Sequence, residues 1–524
     1  MEELLNLERE AVLRNNYITK AVESGESDVQ RFYSGANVFI TGGSGFVGKN
    51  LIEKLIRCCN VNKVFLLLRP KKNKSLQERL DEIISNPVFD YLHKHKPEFV
   101  KNVLAIAGDV SQLELGLSED DRIMITEQVN VIFHSAANVS FDGTIKSVTL
   151  INVRGTRELL RLAKCCKNLR SVVHVSTAFS HATRSRVNLP VKELFYDCPI
   201  SYSTMIELAE TVEETKLNEM AKILKQDWPN NYSFSKALAE QVVRSEGQDL
   251  PICIVRPAVV VSSYREPMPG WIDPNNVFGA SGVVLGTIVG VIHVLRATTD
   301  VKLCAVPADV VTNVTVVAGR ETTIQQSNYD KIRIYNVVNN RNAFDWEYYI
   351  KFMNTFGREA ISSQAVWYCF AIVTSSKFLY VIYFWLLHYV PGFFVDIALR
   401  VMGKPPMFLK IYKKISKLHS VLDFFINSDF QFQDDNTLRL HNSMGKTDRD
   451  IFNCDMATVN NEQLLKAWTT GVRKYIIKDE TLDSTNIKRK QFVLKILTYI
   501  IFGLFIYLLY LLLSFVYKTF SIII

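Results

Sequence analysis

The 524-residue chain is missing several features that would fix its setting at once. Its nine cysteines include no CxxC pair and no regular spacing, and Cys58-Cys59 and Cys165-Cys166 are merely adjacent. That argues against a zinc site or a disulfide framework, and it favours reduced thiols on the cytosolic side. No metal is expected. No basic run is interleaved with aromatics, as a groove for single-stranded nucleic acid requires, so nucleic acid is not an expected partner. Residues 1–30 are polar and charged without the apolar core of a secretory signal. Charge of one sign is also in short supply: 61 basic against 53 acidic residues give +8, spread along the chain, which suits a polyanionic small molecule or an anionic membrane face.

What is present begins with length. At 48% hydrophobic and 22% charged, the chain can bury a sizeable core and form two or more domains. Near its start, Val38-Phe39-Ile40 runs into glycines at 42, 45 and 48, and an apolar, basic helical pattern from Lys49 to Arg57 follows. Strand, tight turn and helix in that order form a dinucleotide-binding turn. One glycine permits an unusual backbone angle, one lets the backbone approach a pyrophosphate, and one lets the helix pack close to the strand. The anion then sits on free N–H groups at the helix start. A purely structural turn is the alternative, and context weighs against it.

The second strand, Lys63 to Arg69, ends without the acid that holds ribose hydroxyls in an NAD site. Arg69-Pro70-Lys71-Lys72 stands there instead, and a guanidinium matches a 2′-phosphate, so NADPH is the expected cofactor. The next strand ends in Gly108-Asp109-Val110, where a carboxylate can accept from the adenine amino group or simply form a turn. Val131 to Asn138 ends in small residues, Ala136 among them, where the sheet must let a cofactor pass; His134 reads as a packed or hydrogen-bonded histidine rather than a base. Asn152 opens a helix running to Cys166. The alternation predicts an α/β, doubly wound (Rossmann) parallel sheet. Strand Ser171 to Thr177 brings hydroxyls to its C-terminal end, where ligands collect in parallel sheets. Tyr232 and Lys236 then share one helix face, and an ammonium beside a phenol lowers its pKa, making it a usable proton donor and acceptor.

Together the glycine turn, the Ser176-Thr177 strand end and Tyr232-x-x-x-Lys236 resemble the extended short-chain dehydrogenase/reductase superfamily. More closely, TGGSGFVGKNLIEKLIR, LLLRP, HSAANVSFD, INVRGT, VHVSTAF, YSFSKALAE and IVRPAVV resemble fatty acyl-CoA reductases, insect members especially. The segment Glu266 to Asp273, Pro307 to Asn313, Asp450 to Asp455 and Gly471 to Tyr475 extend the likeness into the C-terminal region. The resemblance implies reduction of a long-chain acyl-CoA to a primary alcohol with NADPH. It implies Tyr232, Lys236 and Thr177 as catalytic residues, with Ser176 the second choice to Thr177 for the hydroxyl. It implies a cofactor site of Thr41, Gly42, Gly45, Phe46, Val47, Gly48, Arg69, Asp109, Val110, Ala136 and Lys236. The long stretch from Thr177 to Tyr232 departs from many short-chain reductases and reads as an inserted flap over the substrate channel. A membrane-bound hydroxysteroid or sterol dehydrogenase and a non-catalytic NADP-binding membrane protein are the rival readings. Arg69 and the C-terminal region weigh against the first, and the intact Thr177, Tyr232 and Lys236 against the second.

The expected organisation is a polar segment over 1–34, a reductase domain over 35–345 and a helical C-terminal domain over 346–485. Ile496 to Val516 is 21 residues without a charge, close to the ~20 that cross a bilayer. Lys488, Arg489, Lys490 and Lys495 precede it and Lys518 follows, so the chain is expected to be single-pass and tail-anchored, with its catalytic part in the cytosol. The final residues carry no retrieval or peroxisomal signal, which favours the endoplasmic reticulum by default. Within 365–403 the apolar run from Phe378 to Leu387 is too short to span and is interrupted by Lys377, His388, Pro391, Asp396 and Arg400. It reads as an interfacial, re-entrant or buried element and a possible access route for acyl chains.

Overall fold

Continuous apolar runs closed by turns become parallel strands when both sheet faces are covered, and seven do so here. They are β1 (Asn37–Thr41), β2 (Lys63–Leu68), β3 (Val103–Ala107), β4 (Val131–His134), β5 (Ser171–Val175), β6 (Ile252–Pro257) and β7 (Arg333–Val337). The computed structural model describes residues 2–523 apart from 276, 278, 326–331, 360 and 480–483. The strand order is β7-β6-β5-β4-β1-β2-β3, and every neighbouring pair is parallel. The order reverses between β1 and β4, and ligands bind outside the carboxyl ends of strands at such a switch point. The doubly wound α/β expectation is borne out.

Alternate residues of one strand serve opposite faces. Val38 and Ile40 join the core that includes Leu51 and Leu55 of helix Phe46–Cys58 and Val311 and Val314 of helix Ala308–Gln325. Phe39, between them, joins the other core with Leu159 of helix Gly155–Cys165 and Leu238 of helix Asn231–Glu246. Truncating either leucine to alanine at such a site costs about 2–5 kcal/mol. The helix expected from Asn152 starts earlier: Ile145–Val148 and a π-turn over Thr149–Arg154 lead into it.

Three other regions carry structure that the sequence reading did not specify. Residues before 34 include a helix, Glu2–Glu23, whose Ala11 and Ile18 are buried and whose Asn15 donates to the Pro267 carbonyl. The long insertion contributes helices Tyr202–Thr211 and Glu214–Leu224, which pack beside the turn at 145–154. The apolar stretch after 376 does not stop at Leu387. Helix Lys377–Phe384, a π-turn Trp385–Tyr389 and helix Val390–Val401 form one run, with the π-turn accommodating Pro391, which lacks an N–H. His388 accepts from the His293 N–H, and Asp396 accepts from the N–H groups of Met407, Phe408 and Leu409 at the start of helix Phe408–Ile426. With those polar groups satisfied inside, Phe378, Trp385, Phe394 and Val401 face outward, and Lys377–Val401 is long and apolar enough to cross a bilayer. The charge-free stretch 496–516 lies in a single helix, Ser484–Ile523, where Tyr499, Ile506, Tyr510 and Phe515 are exposed. Phe502 of that helix meets Phe370, in the segment before Lys377, edge-on at 6.5 Å.

Candidate active site

The β1 turn has the features its glycines predict. Gly42 has φ +79°, and a Cβ there would lie 2.6 Å from the Ala136 nitrogen. A Cβ on Gly48 would lie 2.3 Å from the Gly42 carbonyl, so the helix can approach the turn only without a side chain. Ser44 and Gly45 are exposed, and Gly45 caps helix Phe46–Cys58 with no side-chain bond to its N–H groups. The first-turn N–H groups at Phe46 and Val47 therefore have no intrahelical partner and face an approachable glycine, which fits a pyrophosphate. The Phe46 ring itself packs on Trp271 at 5.2 Å.

Around that turn the other cofactor candidates divide. Arg69 is exposed immediately after β2, with Lys71 and Lys72 exposed beyond it. Asp109 follows β3 and its Oδ1 accepts from the Ser111 N–H, the turn-forming role. Val110 is buried, and its carbonyl would lie 2.7 Å from a Cβ on Gly155. Thr41 is buried, with its Oγ1 on His134 Nδ1 at 2.7 Å. Because Thr156 Oγ1 donates to the Asn152 carbonyl, it accepts from His134 Nε2, which assigns the ring N–H to Nε2 and makes Thr41 the donor. Burial pushes His134 down to about 3, and the Lys236 charge pushes the same way, so it is a neutral packed histidine as expected.

The catalytic candidates converge at the end of β5. The Asn230 side chain accepts from the Ser233 N–H and so starts helix Asn231–Glu246, which carries Tyr232 and Lys236 on one face. The half-buried phenol of Tyr232 lies beside Thr177, whose Oγ1 donates to the Pro257 carbonyl at 3.2 Å; burial pushes the phenol up to about 12, and the Thr177 hydroxyl opposes the rise. Lys236 Nζ donates to the Val175 carbonyl at 2.7 Å. Burial pushes its ammonium down to about 8, with Glu240 opposing. The expected lowering of the phenol by Lys236 is not what these groups do: burial of the hydroxyl dominates, and the ammonium is drawn to the strand end.

Ser176, the second candidate for the hydroxyl role, points elsewhere. Its Oγ donates to Glu240 Oε1 at 2.5 Å. That carboxylate also accepts from Ser180 Oγ, His181 Nε2 and, through both oxygens, Arg256. Consecutive residues of an extended strand end face opposite sides, so only Thr177 can meet Tyr232. Sequence reasoning assigned no role to Glu240 or to Asn152. Asn152 Nδ2 donates to Ser235 Oγ on the Tyr232 helix and its Oδ1 accepts from the Asn138 N–H. Its place in a π-turn is the kind of local irregularity found at functional sites. Sequence reasoning also missed the aromatic wall. Phe141 meets Tyr232 edge-on at 5.7 Å, Phe425 lies 6.0 Å from Phe141, and Phe179 lies 5.3 Å from Phe425.

Two family models match the chain, both described as male sterility protein: an NAD-binding one over residues 40–315 and a sterile one over residues 387–479. The "Fatty acyl-CoA reductase wat" of Drosophila melanogaster is 35% identical over 481 residues, 92% of each chain. The chain belongs to the fatty acyl-CoA reductase family. Fatty acyl-CoA reductase 1 of Homo sapiens is 34% identical over 457 residues, 86% of this chain and 87% of that one. Two solved structures share the fold of this fatty acyl-CoA reductase family member. The terminal R domain of the myxalamid PKS-NRPS pathway has TM-score 0.55 at 20% identity, covering 84% of this chain and 90% of its own. A thiolation-reductase di-domain from an archaeal non-ribosomal peptide synthetase has TM-score 0.55 at 19% identity, with coverages of 87% and 80%. The family member is an oxidoreductase that uses a nicotinamide cofactor.

Proposed function

We propose that this fatty acyl-CoA reductase converts a long-chain acyl-CoA to the primary alcohol in two NADPH-dependent reductions. The Tyr232–Thr177 pair beside the buried Lys236 is the observation that carries the reading. The turn at Gly42, Gly45 and Gly48, with the N–H groups of Phe46 and Val47, would hold the pyrophosphate. Ala136 would back the turn, Asp109 would lie beside the adenine, and Arg69 with Lys71 and Lys72 would take the 2′-phosphate. When bound, NADPH supplies the hydride.

Everything else falls to the chain's own groups. A phenol pushed up to about 12 is fully protonated near neutrality, so Tyr232 is a proton donor. Tyr232 and Thr177 hydrogen-bond the oxygen of the thioester or aldehyde carbonyl and oppose the negative charge that develops there. In the first reduction the hemithioacetal oxyanion collapses, its C–S bond breaks and coenzyme A leaves as the thiolate, which takes a proton; in the second, Tyr232 supplies the proton that completes the alcohol. Lys236, fixed on Val175, would hold the ribose end of the cofactor and keep a positive charge under the site. A protonated phenol is ready for reduction, whereas alcohol oxidation needs the phenolate that burial disfavours, so the hydroxysteroid dehydrogenase reading is weaker. Phe141, Phe179 and Phe425 offer an acyl substrate an apolar flank.

Helix Ser484–Ile523 would anchor the protein through 496–516, with the preceding lysines and arginine on the cytosolic side. The outward apolar face of Lys377–Val401 would meet the same membrane and admit long chains there. Membranes carrying the protein, given NADPH and palmitoyl-CoA, should yield hexadecanol. Oxidation of a hydroxysteroid without hexadecanol formation would replace this reading with its rival.

A further inference from the structure

The geometry points to Arg184 and Lys225 as the binding site for the phosphate groups of the substrate's coenzyme A moiety. The inference rests on the acyl-CoA reading above and adds to it a second anion site, separate from the cofactor's. It starts from the aromatic wall. From Tyr232 the ring contacts run through Phe141 and Phe425 to Phe424, which lies 5.3 Å from Phe425. At the outer end, the Arg184 guanidinium sits over the Phe424 ring at 5.3 Å. One end of this track is the proton donor, and the other is an exposed cation. Between a thioester and the phosphates of coenzyme A lies an uncharged arm, which an uncharged aromatic track suits.

The cation is built in rather than loosely tethered. Arg184 begins a short turn, Arg184–Arg186, and its backbone N–H donates to the Asp227 carbonyl at 3.1 Å. Trp228 Nε1 donates to the Ser180 carbonyl at 2.7 Å, which pins the same two segments together from the buried side. Lys225, whose carbonyl accepts from the Trp228 N–H at 2.9 Å, belongs to the same junction, and partial burial and then the Arg184 charge push its ammonium down. No carboxylate among the described residues forms an ion pair with either. Of the cations on neighbouring segments, Arg186 lies over the Tyr196 ring at 3.9 Å and Lys417 pairs with Asp142 at 2.9 Å. Two adjacent like charges disfavour each other's charged form, and a multiply charged phosphate between them reverses that effect. Held over the Phe424 ring, the Arg184 guanidinium is a flat fork of donors, the shape that grips phosphate bidentately. The glycine turn follows β1, and Arg184 lies beyond the end of β5 with β4 between the two strands, so cofactor and substrate phosphates occupy different places.

The test uses the full chain in detergent micelles or nanodiscs, with Arg184→Ala, Lys225→Ala, the double variant and Arg184→Lys. Each is assayed with NADPH on palmitoyl-CoA and on hexadecanal, which has no coenzyme A. The double variant should raise KM for palmitoyl-CoA 10-fold or more and leave hexadecanal reduction within 2-fold, so the aldehyde reaction doubles as the control for folding. Arg184→Lys should recover part of the loss. 3′-Phosphoadenosine 5′-diphosphate should compete with palmitoyl-CoA in the wild type and far less in the double variant. An unchanged KM for palmitoyl-CoA, an equal rise for hexadecanal, or inorganic phosphate competing as well as the nucleotide would each overturn the site. A wild type that reduces neither substrate would instead overturn the functional reading, and the site with it.

Discussion

Glu240 holds the back of the site together, and its removal should be the most damaging single change there. Its side chain is buried, as is Arg256, the two joined by Arg256 Nε on Oε1 at 2.9 Å and Nη2 on Oε2 at 2.5 Å. Arg256 Nη1 and Nη2 also reach the carbonyls of Lys192 and Leu194, which ties the long insertion to the strand. Glu240→Ala would leave a buried guanidinium unpaired, at a cost of about 3–5 kcal/mol. Ser176 and Ser180 would lose their acceptor too, at about 1–3 kcal/mol each if the losses were independent, which for one network they are not. Against the roughly 5–15 kcal/mol of an ordinary domain, that is enough to leave much of the protein unfolded. Glu240→Gln keeps the volume but turns an amide N–H₂ onto Arg256 or His181, and should cost about 3 kcal/mol. The assay is urea unfolding of the full chain in detergent, followed by near-UV circular dichroism, from pH 7.5 down to 3. Burial raises the Glu240 carboxyl, but the Arg256 charge and the His181 hydrogen bond outweigh it and hold it well below the usual range. Its folded pKa thus lies below an unfolded value of about 4.3. Its stabilisation is then full above that value and is lost as pH falls through the folded pKa. The wild type should lose stability more steeply in acid than Glu240→Gln, which keeps only the share of other carboxyls such as Glu266, which burial raises but Lys54 and Arg57 hold at about 2. A Glu240→Gln protein within 1 kcal/mol of wild type, with the same acid dependence, would refute the reasoning.

Other perturbations test neighbouring parts. Gly48→Ala would push a Cβ to 2.3 Å from the Gly42 carbonyl. It should destabilise by about 1–3 kcal/mol and abolish NADPH binding, both readable in a thermal-shift titration with the cofactor. Arg69→Glu should shift cofactor preference from NADPH toward NADH by roughly 10- to 100-fold in kcat/KM, the worth of one charge-assisted bond plus the new repulsion; an unchanged ratio would remove Arg69 from the cofactor site. Lys49 and Asp273 form a buried ion pair between the dinucleotide helix and the segment after Trp271. Lys49→Met alone should cost about 3–5 kcal/mol, whereas Lys49→Met with Asp273→Leu should recover most of it in chemical unfolding, because the penalty is the abandoned charge.

The parts of this molecule that the sequence makes legible are local ones. Val38 to Gly48 declares its turn because the strand, the glycines and the helix are consecutive, and Gly42 and Gly48 are glycine because backbone stands where a Cβ would be. Tyr232 and Lys236 are legible as a helical pair for the same reason. Choosing between Ser176 and Thr177 is harder, because the pleat guarantees opposite directions but the side is decided by Glu240, on a distant helix. The aromatic neighbours of Tyr232 come from remote parts of the chain, and no spacing rule brings Phe425 to Phe141. Lys377–Val401 reads as interrupted because His388 and Asp396 look like breaks, yet both face inward to backbone N–H groups and leave an apolar outer surface. In the N-terminal segment, polar composition hides a narrow buried stripe of Ala11, Asn15 and Ile18. Lys236 shows the reverse problem: its position is legible, but its effect on Tyr232 depends on burial, which no spacing reports.

The central claim, that Tyr232 is the proton donor of an NADPH-dependent acyl-CoA reductase, is tested most directly by one comparison. Full-length wild type and Tyr232→Phe, reconstituted in nanodiscs, are given palmitoyl-CoA and NADPH, with hexadecanol measured by gas chromatography and NADPH binding by fluorescence. The account predicts hexadecanol from the wild type, a fall in turnover of about 10²-fold or more in Tyr232→Phe, and NADPH binding within a few-fold of wild type. Undiminished alcohol formation by Tyr232→Phe would contradict it.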